Sequence, residues 1–193
     1  PIYAGATVTM VEPAAGAALR HWSCSRDLGS DEDGALFRYL RQGQRSLTTS
    51  DTNGLHALVD AADVVILSRD NSVGAADALA ARDPGLIVVS ITPYGLTGPD
   101  ADRPATEFTI QADSGALGVR GRVDRPPIQM GGRVVEWVAG AYGAVAALAA
   151  RRRQAADGDG DLIDVSLCEV ANLTGSLYSD LMYSLAGRPP IDP

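Results

Sequence analysis

Lysine is absent from this sequence of 193 residues, and all sixteen of its basic residues are arginine. A Walker A phosphate-binding loop has the pattern GxxxxGK[ST], so the absence of lysine excludes the P-loop nucleotide-hydrolysing enzymes. Acidic residues outnumber basic residues by 24 to 16, which gives a formal net charge of −8. An acidic chain is a poor general binder of nucleic acid or of anionic membranes. Neither is therefore expected as a partner.

Cysteine and long apolar runs are also scarce. Cys24 and Cys168 are the two cysteines, and they lie far apart without a CxxC pattern. Neither a zinc site nor a disulfide framework is indicated, and a reducing cytoplasm is the expected compartment. No uninterrupted apolar run reaches the roughly 18 residues of a transmembrane helix. The sequence predicts no metal, no bound cofactor and no membrane partner.

Other common sites are poorly represented. The turn EPAAGAALR, after the first predicted strand, has one glycine, whereas a dinucleotide-binding turn needs several for the backbone to approach a pyrophosphate. Asp157, Asp159 and Asp161 have the alternate spacing of a calcium loop but lack its glycine and its bidentate glutamate. His21 and His56 accompany no GxSxG nucleophile elbow, so packing or surface roles are expected for them.

Short apolar segments alternate with helical patterns in the first half of the chain. Strands are predicted at Ala6–Val11, Asp63–Leu67 and Leu86–Ile91, and helices at Asp31–Leu40, Leu55–Ala61 and from Asn71 to about Arg82. Wholly apolar strands that alternate with helices are typical of a parallel sheet covered on both faces. The predicted fold class is therefore α/β.

The second half has a different texture. Thr92–Pro104 contains three prolines and two glycines and is predicted to be a loop. An alanine-rich helix is predicted over Glu136–Arg153. After a break at Gly158 and Gly160, a second long helix is predicted over Val165–Ala186.

Eight segments of the sequence resemble, in order, one known family. They are YAGATVTMVEP, GALFRYLRQGQRSL, AADVVILS, DPGLIVVSITPYGLTGP, DSGALGVRG, RPPIQMGG, EWVAGAYGAVAALAARR and GDGDLIDVSL. No single segment is specific for this family, but the occurrence of all eight in this order over nearly the whole chain is specific. The sequence is similar to the family III CoA-transferases, also called the CaiB/BaiF type, which include formyl-CoA transferase, the carnitine-pathway CoA-transferase and alpha-methylacyl-CoA racemase.

The resemblance implies a Rossmann-like fold and a domain plan. Family members are about twice as long, and two of their chains interlock as a dimer. Residues 1–193 would then be the core of the large domain, without its first strand and helix and without the C-terminal half. The long helices of residues 134–186 would lead toward a small domain, and the full-length protein would be an interlocked homodimer.

The resemblance also implies a reaction, in which CoA moves from an acyl-CoA to a second carboxylic acid. The family's nucleophile is an aspartate followed four residues later by glycine, and this sequence has Glu136 and Gly140 at the matching positions. Glu107 stands 29 residues earlier, where the family has an acidic residue. Glutamate lengthens the side chain by about 1 Å, a displacement large enough to affect the rate.

Candidate CoA-binding residues follow from the same resemblance. Arg20 and Arg45 match basic positions near the nucleotide, and the GLTGP segment with Gly95 and Gly98 matches a loop over the active site. Ser68 and Arg69 replace part of an Asn-x-x-Pro-Gly turn. Because this turn is altered, a catalytically weakened CoA-transferase-like binding subunit is an alternative.

A 2-methylacyl-CoA racemase is a third interpretation. That branch of the family has a histidine immediately before the Glu107 position, and this sequence has Thr106 there. Threonine is not a competent base at neutral pH. The racemase is therefore the weakest of the three functions.

Overall fold

The structure is a computed structural model that describes residues 5–25, 28–29, 32–48, 52–68, 75–118, 120–122, 124–176, 184–185 and 187. The described residues contain five β-strands and six α-helices. They belong to two compact units, Pro1–Asp60 and Ala61–Pro193.

The first unit contains a pair of parallel strands. Strand β1 (Thr9–Glu12) pairs with β2 (Arg45–Thr48), with Thr9 opposite Arg45 and Glu12 opposite Thr48. Strand β1 ends before Pro13, because proline has no N–H to donate to a neighbouring strand. The helices of this unit are α1 (Ala35–Arg41) and α2 (Thr52–Asp60).

The second unit contains a parallel sheet in the order β3-β4-β5. Its strands are β3 (Val64–Ser68), β4 (Ile87–Thr92) and β5 (Asp161–Ser166). Its helices are α3 (Ala76–Arg82), α4 (Glu107–Asp113), α5 (Val134–Asp157) and α6 (Leu167–Ala171), and a π-helical turn spans Asn172–Ser176. The parallel pairing and the alternation of strands and helices confirm the predicted α/β class.

The core of the second unit lies between β4 and α5. Ile87 and Val89 are at most 1% exposed and form one buried cluster with Ala139 and Ala150 of α5. Side chains two apart on a strand face the same side, so this side of β4 is apolar along its length. Burying one such aliphatic side chain contributes about 1.5–3 kcal/mol. The contacts fix α5 on the sheet.

The predicted helix over Val165–Ala186 is wrong at its N-terminal end. Strand β5 occupies residues 161–166, and α6 then extends for five residues only. Val165 is buried and Ile163 packs against the same core cluster, so a two-residue period is present within LIDVS. The assignment of all of 134–186 to long helices fails for the same reason. Residues 177–183 and 186 lie outside the described residues.

A close approach of two backbones precedes β5. The Gly160 amide donates to the Pro84 carbonyl at 2.6 Å. A Cβ atom on Gly160 would lie 2.0 Å from the Leu86 carbonyl oxygen, a separation that no side chain tolerates. The glycine that the sequence presents as a helix break therefore serves to start a strand beside β4.

Strand β2 and helix α4 were not predicted, and several helices differ in extent from their predicted ranges. Helix α1 spans Ala35–Arg41 where Asp31–Leu40 was predicted, and α2 spans Thr52–Asp60 where Leu55–Ala61 was predicted. Helix α5 begins at Val134 and continues to Asp157, so it exceeds the predicted range at both ends.

Helix α5 has one buried side and one exposed apolar side. Its exposed side carries Trp137, Tyr142, Val145 and Leu148, each at least 43% exposed. By length and composition α5 is the one helix of the described chain that could cross a membrane. Here it is a layer of an α/β unit, and nothing else in the described residues indicates a membrane protein.

Candidate active site

The N-terminus of α5 lies at the carboxyl edge of the sheet. A Cβ atom on Gly143 would lie 3.3 Å from the Ile91 side chain, near the end of β4. At the other end of α5, the Gln154 amide donates to the carbonyl of Gly85, which precedes β4. The helix therefore runs opposite to the strand and begins beyond its carboxyl end. In open α/β folds this edge of the sheet is where ligands bind.

The chain enters α5 through a left-handed turn. Gly132 has φ 78°, and Arg133, the residue that immediately precedes the helix, has φ 57° and ψ 43°. Within the described residues, Arg133 is the only non-glycine residue with positive φ. This conformation costs an L-residue about 1–2 kcal/mol. The Arg133 side chain makes no capping hydrogen bond to the helix.

Glu107, the first residue of α4, supplies the missing cap from a distance. Its Oε1 accepts from the Val135 amide at 3.0 Å and from Gln111 Nε2 at 2.9 Å. Its Oε2 is buried and has no hydrogen-bond partner among the described residues. A carboxylate at a helix N-terminus is favoured both by the unpaired amides and by the helix dipole. Glu107 therefore fixes the start of the helix that carries Glu136.

Gln111 extends the same hydrogen-bond network. Its side chain is wholly buried, Nε2 donates to the Met130 carbonyl at 3.0 Å, and Oε1 accepts from the Met130 amide at 2.8 Å. The amide thus ties the segment before α5 to α4. Sequence reasoning missed Gln111; the signal for it was its spacing of four residues from Glu107, which puts both on one face of a helix.

Glu136 lies in the first turn of α5 and pairs with Arg133. Arg133 Nε donates to Oε2 of Glu136 at 2.7 Å, and Nη2 donates to Oε1 at 2.5 Å. The hydrogen bonds that Arg133 donates to Glu136 raise the pKa of Arg133, whereas burial lowers it. Both side chains are 44% exposed, and a pair in that environment contributes about 0–1 kcal/mol. The Glu136 carboxylate is thus accessible while both its oxygens accept from one arginine.

Gly140 leaves open space one turn after Glu136. It is exposed, and a Cβ atom placed on it would have no neighbouring atom within 4 Å. Residues four apart on a helix share a face, so bare backbone lies beside the Glu136 carboxylate. Glycine inside a helix costs about 1 kcal/mol relative to alanine, and no described residue makes use of its small size.

The GLTGP loop is held by Asp164 of β5, which sequence reasoning also missed. Asp164 Oδ2 accepts from the Leu96 amide at 2.8 Å. Gly95 has φ 91°, and a Cβ atom there would lie 3.2 Å from the same oxygen. Gly98 also has positive φ, at 104°. The predicted loop residues Gly95 and Gly98 thus belong to a segment anchored to the sheet that supports α5.

Thr106 has a structural task in this arrangement. Its hydroxyl accepts from the Thr109 amide at 3.2 Å, and the Thr109 hydroxyl accepts from the Thr106 amide at 2.8 Å. This reciprocal pair is a capping box at the start of α4. The side chain at the racemase histidine position is therefore used as a helix cap.

In the first unit, Arg20 is paired with two carboxylates. Nε and Nη2 each donate to Glu12 at 2.5 Å, and Nη1 donates to both oxygens of Asp33 at 2.8 and 2.7 Å. Nη2 also lies 3.4 Å from the Ser46 hydroxyl. The five N–H groups of this guanidinium are thus directed at protein acceptors. Binding of a CoA phosphate by Arg20 stays a prediction, and it would require Asp33 to release the guanidinium.

Glu12 is almost completely buried by this cluster. It is 3% exposed, and hydrogen bonds from Arg20 and then from Ser46 and the Ala17 amide lower its pKa from 4.5 to about 2, although burial opposes the shift. The hydrogen bonds that Arg20 donates to Glu12 and Asp33 in turn raise the pKa of Arg20. Arg20 therefore joins the end of β1 to the segment before α1.

The other predicted CoA-binding residues are divided between the two units. Arg45 is the exposed first residue of β2 in the first unit, and Ser68 is the exposed last residue of β3 in the second unit. Arg69 lies outside the described residues. Glu107, Glu136 and Gly140 are the predicted residues that the structure brings together at one place. Within the described ranges, no group of three or more histidine, cysteine or acidic side chains could hold a metal ion.

Comparison with known proteins gives consistent matches. The sequence profile of a family described as CoA-transferase family III matches residues 3–191. A succinate–glutarate CoA-transferase of Agrobacterium fabrum is 32% identical over 97% of this chain and 50% of its own length. An acetyl-CoA:oxalate CoA-transferase of Acetobacter aceti is 34% identical over 58% of this chain and 29% of its own length.

A solved structure agrees with the fold. A CAIB/BAIF family protein from Brucella suis superposes with a TM-score of 0.78 at 29% identity, covering 95% of this chain and 51% of that protein. The chain therefore spans about half the length of the Agrobacterium fabrum enzyme and of the Brucella suis protein.

Proposed function

The chain belongs to CoA-transferase family III, and from this premise we propose that its parent protein transfers CoA from an acyl-CoA to a carboxylic acid, with Glu136 as the nucleophile. The observation that carries the proposal is an accessible carboxylate in the first turn of α5, beside the open space at Gly140. Holding a weak nucleophile close to a carbonyl carbon is the main contribution of such a site. The proposed reaction requires no metal and no bound cofactor.

In the proposed reaction the Glu136 carboxylate oxygen attacks the thioester carbonyl carbon of the acyl-CoA. The carbon–sulfur bond breaks, CoA leaves as a thiolate, and a mixed anhydride of Glu136 remains. The thiolate then attacks the Glu136 carbonyl carbon and releases the donor's carboxylate, which leaves a Glu136–CoA thioester. The acceptor carboxylate then attacks the carbonyl carbon of the Glu136–CoA thioester, which releases the CoA thiolate and leaves a mixed anhydride of Glu136 and the acceptor. The thiolate attacks the acceptor's carbonyl carbon, so the acceptor leaves as its CoA thioester and Glu136 regains its negative charge.

The neighbouring residues have proposed roles in this scheme. Glu107 is proposed to act indirectly, because it fixes the start of the helix that carries Glu136. Gly95 and Gly98 are proposed to form the loop over the acyl-CoA. Arg20, Arg45, Ser68 and Arg69 are proposed to contact the CoA nucleotide. The protein is proposed to be a cytoplasmic, interlocked homodimer.

The relatives give the first substrates to test. Succinyl-CoA is chosen as the donor and glutarate as the acceptor for this test, because a relative that matches 97% of this chain is named for succinate and glutarate. The protein from the complete reading frame is incubated with succinyl-CoA and trapped with hydroxylamine or borohydride. Mass spectrometry is expected to find the modification on Glu136, and Glu136→Gln is expected to abolish it. Turnover by a protein whose Glu136 stays unmodified would exclude the proposal.

A CoA-transferase-like binding subunit is the second candidate. It is favoured by the Arg133–Glu136 pair, which occupies both oxygens of the nucleophile. A related succinyl-CoA–L-malate CoA-transferase of Chloroflexus aurantiacus is named as a beta subunit. Turnover at an ordinary enzymatic rate by the purified protein without a partner chain would exclude this alternative. The racemase is disfavoured because the Thr106 hydroxyl caps α4.

A further inference from the structure

Arg133 occupies a position where local helix chemistry disfavours arginine. Its backbone has the left-handed conformation that glycine and asparagine adopt most easily. It makes no side-chain cap, and it brings positive charge to a helix N-terminus, where negative charge is preferred. Three unfavourable features at one residue indicate that its guanidinium has a task other than forming the helix.

The Arg133 guanidinium binds the Glu136 carboxylate, and the same geometry would suit the carboxylate of a substrate in its place. Nε and Nη2 form a parallel pair of hydrogen bonds to the two oxygens of Glu136. This fork is how arginine recognises carboxylates, and lysine cannot reproduce it. Among the residues that the structure describes, Nη1 of Arg133 has no hydrogen-bond acceptor.

Charge conservation determines where a counter-charge is needed once Glu136 reacts. Glu136 is negative before the reaction, neutral in the anhydride and neutral in the Glu136–CoA thioester. The negative charge moves first to the CoA thiolate and then to the released carboxylate. At the thioester stage, Arg133 has therefore lost its hydrogen-bonded counter-charge, and Glu107 remains as the carboxylate that acts on it electrostatically. A free carboxylate must then remain or arrive within reach of the Glu136 carbonyl carbon.

We propose that Arg133 is a specificity-determining residue, which binds the carboxylate of the acceptor acid while Glu136 carries CoA. The inference rests on the proposed function of Glu136. The same guanidinium binds the acid released from the donor, since that acid leaves from the place where the acceptor enters. Arg133 thus returns to Glu136 when the second transfer ends.

Arg133→Asn in the protein from the complete reading frame is the main test. Asparagine tolerates the left-handed backbone, so the variant removes the guanidinium without new strain. With succinyl-CoA and glutarate, the KM for glutarate is expected to rise about 10–100-fold, the loss typical of a charged hydrogen-bonded pair. The KM for succinyl-CoA is expected to change less than about twofold. Inhibition by free succinate is expected to weaken together with glutarate binding.

Two further variants separate recognition from folding. Arg133→Lys retains the charge but not the fork, so a smaller rise in the KM for glutarate is expected, and it serves if the asparagine variant does not fold. Arg122→Asn is the matched control, because Arg122 is also an exposed arginine paired with a nearby carboxylate, Asp124. It is expected to leave both KM values unchanged. Low concentrations of guanidinium ion are expected to restore part of the activity of Arg133→Asn only.

The outcomes distinguish the two proposals. If the unmodified protein forms no Glu136–CoA thioester, the proposed function and this inference both fail. If the thioester forms normally but Arg133→Asn retains the parent KM for glutarate, the inference alone fails. Loss of thioester formation in Arg133→Asn would overturn it too, because Arg133 would then act in the first half-reaction and not in acceptor recognition.

Discussion

The Glu107 carboxylate caps a helix that begins 27 residues later in the chain, at Val134, through a 3.0 Å hydrogen bond from the Val135 amide. The residue that precedes this helix, Arg133, contributes no side-chain cap. Long-range capping therefore couples α4 to the turn that carries Glu136. A change at Glu107 should reach Glu136 without any direct contact between the two carboxylates.

Glu107→Ala is expected to lower the free energy of unfolding by about 2–3 kcal/mol, because two hydrogen bonds to a charged group are lost. Glu107→Gln retains an oxygen that can accept from the Val135 amide, so a loss of about 1 kcal/mol is expected. Urea unfolding of both variants measures the difference. Equal losses in the two variants would show that the Val135 hydrogen bond contributes little.

Gln111→Leu is expected to lower stability by about 2–3 kcal/mol, since the half-buried Met130 amide and carbonyl lose their partner. It is also expected to lower kcat, because the turn before Glu136 loses its tie to α4. Gln154→Leu is the matched control: it removes a glutamine that ties the other end of α5 to Gly85. A comparable loss of stability with unchanged kcat is expected there. A similar fall in kcat for both variants would contradict a positioning role for Gln111.

Gly140→Ala is expected to change stability and activity in opposite directions. Alanine favours the helix by about 1 kcal/mol, and the open space around Gly140 accommodates its methyl group. The same methyl group would occupy the space beside Glu136 where the acyl-CoA is proposed to bind, so kcat/KM is expected to fall. Thermal unfolding and steady-state kinetics measure the two effects. The reverse change Ala144→Gly, one turn further along α5, should lower stability and leave kcat/KM unchanged.

The free energy of unfolding is expected to decrease as the pH is lowered, because of Glu12. Its folded-state pKa of about 2 is below its usual 4.5, so the folded protein binds the proton less readily than the unfolded chain. The resulting stabilisation is complete above about pH 5 and is lost as the pH falls toward 2. It amounts to at most about 3 kcal/mol. Urea unfolding at several values between pH 6 and pH 3 measures it.

Glu12→Gln supplies the contrast for that measurement. The variant is expected to be less stable at pH 6 and to show a shallower decline toward pH 3. Glu32→Gln changes an exposed glutamate in the same unit and should leave the decline as it is. If the free energy of unfolding of Glu12→Gln decreases as steeply toward pH 3 as that of the parent protein, groups other than Glu12 cause the acid sensitivity.

The sequence was sufficient to predict the strands and helices whose hydrophobic period and flanking turn residues are clear. The apolar strand β4, the alanine-rich helix α5 and the α/β class were predictable. Burial on both faces leaves β4 mostly apolar, with Ser90 and Thr92 as its two polar residues. Strand β5 was not predictable, since LIDVSL continues into a helical pattern and its two-residue period covers few residues. Only its pairing with β4 decides between strand and helix.

The site was predictable as residue types but not as contacts. The spacing of Glu107, Glu136 and Gly140 singled them out together with the family resemblance. The ties from Gln111 to Met130 and from Asp164 to Leu96 join residues 19 and 68 positions apart. Separations of that size leave no local pattern, so tertiary structure is needed to find them. For the same reason the sequence presented Arg20 as a phosphate ligand without revealing Glu12 and Asp33 as its partners.

Trp137, on the exposed side of α5 and next in sequence to Glu136, is one of only two tryptophans in the chain. Its emission should shift to shorter wavelengths whenever a ligand or a protein surface covers that end of the helix. The other tryptophan, Trp22, is partly buried in the first unit. Replacing Trp22 with phenylalanine would leave a single native fluorophore beside the proposed nucleophile, so that events at Glu136 can be followed in real time without a label.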